Sequence, residues 1–188
     1  DFKKQLLLWS QQFREVTFMD SNQYQQDYSS YDWILAVDAF TSIKTDHFNA
    51  FEDLKQYQQT SRDWIFGYLA YDLKNDTENL TSKNFDGLEF PDLFFFQPKK
   101  LFLAKGNQLE IRYLHCCDDE FETDWEEMNS IATDFETLNV DVNIKQRISA
   151  EKYKEKVSKM LEHIHHGNLY EANFCMEFYA ENAQIEPV

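Results

Sequence analysis

The sequence predicts an α+β fold in which antiparallel sheets pack against helices. Short apolar runs rich in aromatic and β-branched residues are bounded by turn residues, the pattern of buried strands. Between them, apolar residues recur three and four apart, which is helical spacing. The composition agrees: of 188 residues 43% are hydrophobic, with 17 Phe and 10 Tyr, enough to fill a core and of a shape that suits a pleated face. With only 4 Gly and 3 Pro, the turns must rest on Asn, Asp and Ser.

Phe2, Leu6, Trp9 and Phe13 put a single apolar stripe on a helix over residues 1–14. Val16 to Met19 follows as a short strand, closed by the turn cluster Asp20-Ser21-Asn22, and the tyrosine-rich 23–31 reads as a loop. Residues 32–40, with Trp33, Ile34, Leu35, Ala36 and Val37, form a strand of buried type. Phe48, Phe51, Leu54 and Tyr57 lie three apart and predict a helix over 48–59. Trp64 to Tyr71 is an aromatic strand, and Gly67 inside it marks a bulge or a close approach of another backbone. Residues 74–89 read as a surface loop with at most one helical turn. Leu93 to Phe96 and Leu101 to Ala104 are two further strands; Lys105-Gly106-Asn107-Gln108 is a hairpin turn into a fifth, 109–114.

The acidic stretch 118–137 carries Phe121, Trp125, Met128 and Ile131 at helical spacing: one face on a core, the other solvated. Residues 138–147 form a connector. Ser149 then N-caps a helix, with Glu151 in the first turn where a negative charge suits the dipole. Tyr153, Val157, Met160, Leu161 and Ile164 share its apolar face, and Gly167 is its αL terminator. From 170 to 179 the residues alternate, Tyr170, Ala172, Phe174, Met176 and Phe178 against Glu171, Asn173, Cys175, Glu177 and Tyr179, which predicts a strand. The organisation is read as two parts, 1–145 and 146–188. The non-Met start and the well-formed unit just before Val188 read as a piece of a longer protein.

A net charge of −16, from 34 acidic and 18 basic residues, repels phosphate backbones and anionic bilayers, arguing against nucleic-acid and membrane-surface binding. No apolar run approaches the ~18 residues of a membrane span, and no signal peptide is visible. Cys116, Cys117 and Cys175 form no disulfide framework and read as reduced thiols of a cytoplasmic protein. His163, His165 and His166 crowd a helix end; neighbours one and two apart share no face, so a dipole-favoured helix end is preferred to a metal site. Cys116-Cys117 lacks the distant partners that zinc needs, and no phosphate loop, nucleophile elbow or His-Glu-x-x-His occurs. Two polar residues stand out. Asp38 ends an apolar strand and must be exposed, paired or bound to something. Asn173 sits mid-strand between apolar neighbours and either braces backbone or faces a ligand. The residues alone imply no reaction.

Several blocks do resemble a known family. Gly167-Asn168-Leu169-Tyr170-Glu171-Ala172-Asn173-Phe174 is similar to the Gly-Asp-x-Tyr-Gln-Val-Asn-Leu that opens the chorismate-binding domain of the large components of anthranilate synthase and aminodeoxychorismate synthase. Phe66-Gly67-Tyr68-Leu69-Ala70-Tyr71-Asp72-Leu73 resembles the family's Gly-x-x-Gly-Tyr-Asp-Leu, and Phe90-Pro91-Asp92-Leu93 its Leu-Pro-Asp. The resemblance implies the non-catalytic N-terminal half of a chorismate-utilising enzyme that requires Mg2+ and receives ammonia from a glutamine amidotransferase subunit. The catalytic lysine, the metal-binding glutamates and the chorismate-binding arginines would belong to the C-terminal catalytic portion, so the fragment alone should be inactive. Asn173 is carried over as a substrate-binding residue. Asp20-Ser21-Asn22 is similar to members of the para-aminobenzoate branch. Leu35-Ala36-Val37-Asp38 stands where anthranilate synthases carry Leu-Leu-Glu-Ser, and the Asp favours the same branch. A tryptophan-type pocket carried over without gaps would comprise Asp38, Thr45, Asp46, His47 and Phe48, with His47 in place of the usual Arg. The alternatives are an anthranilate synthase component and a non-catalytic ligand-sensing or scaffold domain.

Overall fold

The structure, a computed structural model, describes residues 2–24, 27–83, 85–133 and 142–185. The chain divides into two compact units, Asp1–Thr133 and Asp134–Val188.

The first unit is built on one antiparallel sheet. Its strands are β1 (Val16–Asp20), β2 (Trp33–Thr45), β3 (Phe66–Leu69), β4 (Leu93–Lys105) and β5 (Gln108–Tyr113). Their order is β1-β2-β4-β3, and β5 pairs with the part of β4 that β3 leaves free. The helices are α1 (Phe2–Ser10), α2 (Ala50–Ser61), the single turn α3 (Lys74–Thr77) and α4 (Phe121–Ser130), with 3-10 turns at Tyr71–Leu73 and Asp118–Glu120. The α+β expectation holds.

The predicted stripes become the core. Leu6 and Trp9 of α1 and Met128 of α4 pack with Leu35, Val37 and Phe102 on one face of the sheet. Ala36, Leu101 and Leu103 point the other way and gather with Phe66 and Phe96. Ala50 of α2 closes a third cluster with Leu73 and Leu93.

One expectation is corrected: 93–96 and 101–104 are a single 13-residue strand, β4. Phe96 shares a cluster with Leu101 and Leu103, an odd number of residues away, which strict alternation forbids. The break in period lies at Gln97-Pro98-Lys99. Pro98 has no N–H to give the ladder, and the register of β2 shifts opposite it, between Ala39 and Thr41. Tyr57 of α2 fills the disturbed spot. Its hydroxyl accepts from the Gln97 N–H at 3.0 Å and donates to the Thr41 carbonyl at 2.9 Å. Gly67 answers to a close approach, because a Cβ there would lie 1.9 Å from the Phe94 carbonyl oxygen.

The second unit holds β6 (Lys145–Gln146), α5 (Ala150–His165) and β7 (Phe178–Tyr179). Ser149 caps α5 by accepting from the Lys152 N–H at 3.3 Å, and Gly167 adopts φ +76°. The strand expected over 170–179 is corrected to its last two residues, which pair with β6. Alternation supplies a face, but a strand also needs a ladder partner for its N–H and C=O groups. The tail of the acidic helix prediction, 134–137, and the connector residues 138–141 lie outside the described residues.

Candidate functional site

A recess lies where the 20–32 connection, the start of β2 and the β4–β5 hairpin meet. It encloses about 570 Å³. Asp20, Asp27 and Asp32 line it with Ser21, Ser29, Tyr24 and Trp33, and Lys3 and Lys105 stand at its rim. Left-handed backbone at Asn22 and Gln23, φ 48° and 63°, turns the chain away from β1. Asn and short polar turns tolerate that region best.

The lysines are already engaged. Lys3 pairs with Asp20, and Lys105 reaches Asp32 and the Ser29 carbonyl, each at 3.1 Å. The bond from Lys3, with the Asn22 N–H, holds the Asp20 carboxyl below its ordinary range. The Gly106 N–H at 2.6 Å, then Lys105, does the same for Asp32. The result is a wall of ionised oxygens beside two aromatic rings. It can accept hydrogen bonds from an ammonium or hydroxyl group, and it repels a carboxylate.

The residues singled out from sequence fall elsewhere. Asp38 stands in the left-handed region, φ 60°, next to the β2 irregularity, and pairs with Lys99 at 3.0 Å. That hydrogen bond raises the Lys99 pKa. Thr45 ends β2 opposite Leu93. The Asp46 carboxylate accepts from the Phe48 N–H at 2.9 Å. His47 contacts Asp92 at 3.3 Å and lies against the Phe48 ring, centroids 4.2 Å apart. Thr45 to Phe48 are therefore together, while Asp38 is seven residues back along β2, on the order of 23 Å at strand rise. None of the five lines the recess described above. The Asp20–Asp32 recess was missed because its groups converge from three segments; the turn cluster Asp20-Ser21-Asn22 was the one local signal.

Asn173 is exposed, in the unpaired stretch before β7. His163 bonds with Asn168 at 3.1 Å, and the His166 ring donates to the Glu162 carbonyl at 2.7 Å. Among the described residues no group of three or more His, Cys, Asp or Glu could hold a metal ion. No described helix is long and apolar enough to cross a membrane.

The chain belongs to the chorismate binding enzyme family, which it matches over residues 7–188. Among solved structures it is similar to anthranilate synthase component I from Streptococcus pneumoniae TIGR4, at 16% identity and a TM-score of 0.57. That match covers 77% of this chain and 40% of the other, so the chain spans well under half the length of this relative. At such identity the likeness speaks for the fold. No curated protein matches the chain.

Proposed function

We propose that the chain is the N-terminal part of aminodeoxychorismate synthase component I. The whole enzyme converts chorismate and ammonia to 4-amino-4-deoxychorismate, on the way to para-aminobenzoate and folate, in the cytoplasm. Ammonia comes from glutamine through an amidotransferase subunit. Mg2+ is bound, and the chemistry is done, by residues of the C-terminal portion. The observation that carries the class is family membership over 7–188.

The branch rests on Asp38, which occupies the place of the anthranilate synthase serine and is tied to Lys99 at 3.0 Å. A carboxylate committed to a lysine is a poor substitute for a neutral hydroxyl that would meet an amino-acid effector. Asn173 faces substrate in the whole enzyme. The second reading is anthranilate synthase component I, the activity named for the solved relative.

Full-length protein incubated with chorismate, ammonia and Mg2+ should release 4-amino-4-deoxychorismate, seen by chromatography and mass. Anthranilate as the only product would reject the branch. Calorimetry with tryptophan tests whether Thr45, Asp46, His47 and Phe48, grouped at the end of β2 away from Asp38, hold an amino acid: saturable heat supports such a site, and a flat titration removes it.

A further inference from the structure

Between β5 and α4 the chain carries two adjacent thiols in opposite environments. Cys116 is exposed, while Cys117 is 3% exposed. A single peptide bond separates the two residues, so the side chains cannot move far apart. Cys117 is also a structural corner. Its N–H donates to the Leu114 carbonyl at 3.0 Å, and its carbonyl accepts from the Glu120 N–H at 3.1 Å, opening the 3-10 turn that leads into α4. Its sulfur donates to the Leu114 and Lys99 carbonyls at 3.4 and 3.9 Å. One turn later Glu120 and Asp124 pair with the buried Lys100 at 2.8 and 2.5 Å.

We propose that Cys116 and Cys117 form a redox modification site at which a hydroperoxide joins them as a vicinal disulfide, loosening residues 118–130 from the sheet. The exposed Cys116 thiolate attacks the terminal peroxide oxygen. The O–O bond breaks, the departing alkoxide takes up a proton, and Cys116 becomes a sulfenic acid. The Cys117 sulfur then attacks the Cys116 sulfur. An S–S bond forms, the S–O bond breaks, and the leaving hydroxide takes the Cys117 proton to become water. Two electrons pass from the two thiols to the peroxide. Burial first of all, and the neighbouring Cys116 next, push the Cys117 thiol up to about 11, so the first attack belongs to Cys116.

Adjacency makes the product a lever. Cα atoms across a trans peptide are about 3.8 Å apart, short of the roughly 4.4–6.8 Å of relaxed disulfides. Closure therefore reshapes the 116–117 backbone. Cys117 leaves its seat below the Lys99 carbonyl, and the 3-10 turn that positions Glu120 loses its first hydrogen bond. A strained disulfide at the surface is readily reduced, so the change is reversible.

The test is full-length protein treated with hydrogen peroxide, read by intact mass, peptide mapping and hydrogen exchange. The expected result is the loss of two hydrogens within the peptide holding Cys116 and Cys117, reversed by dithiothreitol. Amides of 118–130 should then exchange about tenfold faster. Cys116→Ser, at an exposed position, should abolish the change, and Cys175→Ser should leave it intact. Oxygen addition at Cys116 with Cys117 still a free thiol, or bonding of either to Cys175, overturns the site. A vicinal disulfide with unaltered exchange over 118–130 overturns the lever.

Discussion

In the first unit, Trp9 of α1 and Met128 of α4 are 2% and 0% exposed beneath a five-stranded sheet. In the second, α5 carries a longer apolar stripe, yet Tyr153, Val157, Met160 and Ile164 are only half-buried, Leu161 is exposed, and no described residue is buried. The two regions show that periodicity forms a helix face without covering it. They also hold their helices by different means. α1 has no acidic residue in its first turn and persists by burial. α5 relies on local terms: the Ser149 cap, the Glu155–Lys159 pair at 2.7 Å and the Gly167 terminus.

The largest expected effect separates them by burial. Met128→Ala should cost about 2–5 kcal/mol, because a closed core keeps the cavity. Val157→Ala should cost well under that, since its site is already partly open. Urea denaturation of the two variants checks the ratio, and equal losses would break the comparison.

Removing charge from the buried cluster should come next. Lys100 touches Asp124 and Glu120 and lies near the Trp9, Phe13 and Tyr113 rings. Lys100→Met strands Asp124 with the Tyr113 hydroxyl, 2.8 Å away, as its remaining side-chain donor, at about 3 kcal/mol. The second unit's pairs, Arg147–Glu177 and Lys145–Glu181, are solvated, and their loss should cost about 0–1 kcal/mol and vanish at high salt.

Alkaline titration should also distinguish the units. Burial pulls the Lys100 pKa down, but its bonds to Asp124 and Glu120 outweigh that and hold it above its ordinary value. Burial raises the Tyr113 phenol far up, and Asp124 adds to the shift. Burial likewise lifts the Cys117 thiol to about 11. Each group has a folded pKa above its unfolded one. Its stabilisation is therefore complete below the unfolded value and fades as pH rises through the folded one. Near-UV circular dichroism of the first unit's aromatics should decay from about pH 9 upward. Lys100→Met should narrow the loss.

Smaller still, Tyr57→Phe leaves the Gln97 N–H and Thr41 carbonyl without their bridge, at about 1–3 kcal/mol in the first unit. Ser149→Ala should remove about 1 kcal/mol from α5. Thermal melts rank the two.

Much of the fold was legible in the residues. The stripes of α1, α4 and α5, the β5 hairpin, the Ser149 cap and the close approach at Gly67 all follow from local pattern. The continuity of β4 was hidden because Pro98 shifts its facing, and that is visible only with β2 and Tyr57 in place. The 170–177 stretch misled for the opposite reason: alternation is local, but ladder pairing is not. The candidate site was hardly legible, since Asp20, Asp32 and Lys105 meet only through the sheet's order.

Hydrogen exchange of the full-length protein with and without saturating chorismate tests the functional contrast between the two regions most directly. The expected result is slower exchange across 168–177, around Asn173, with β4 amides unchanged. Unaltered exchange over 168–177, with chorismate-dependent protection confined to residues 2–133, would contradict it.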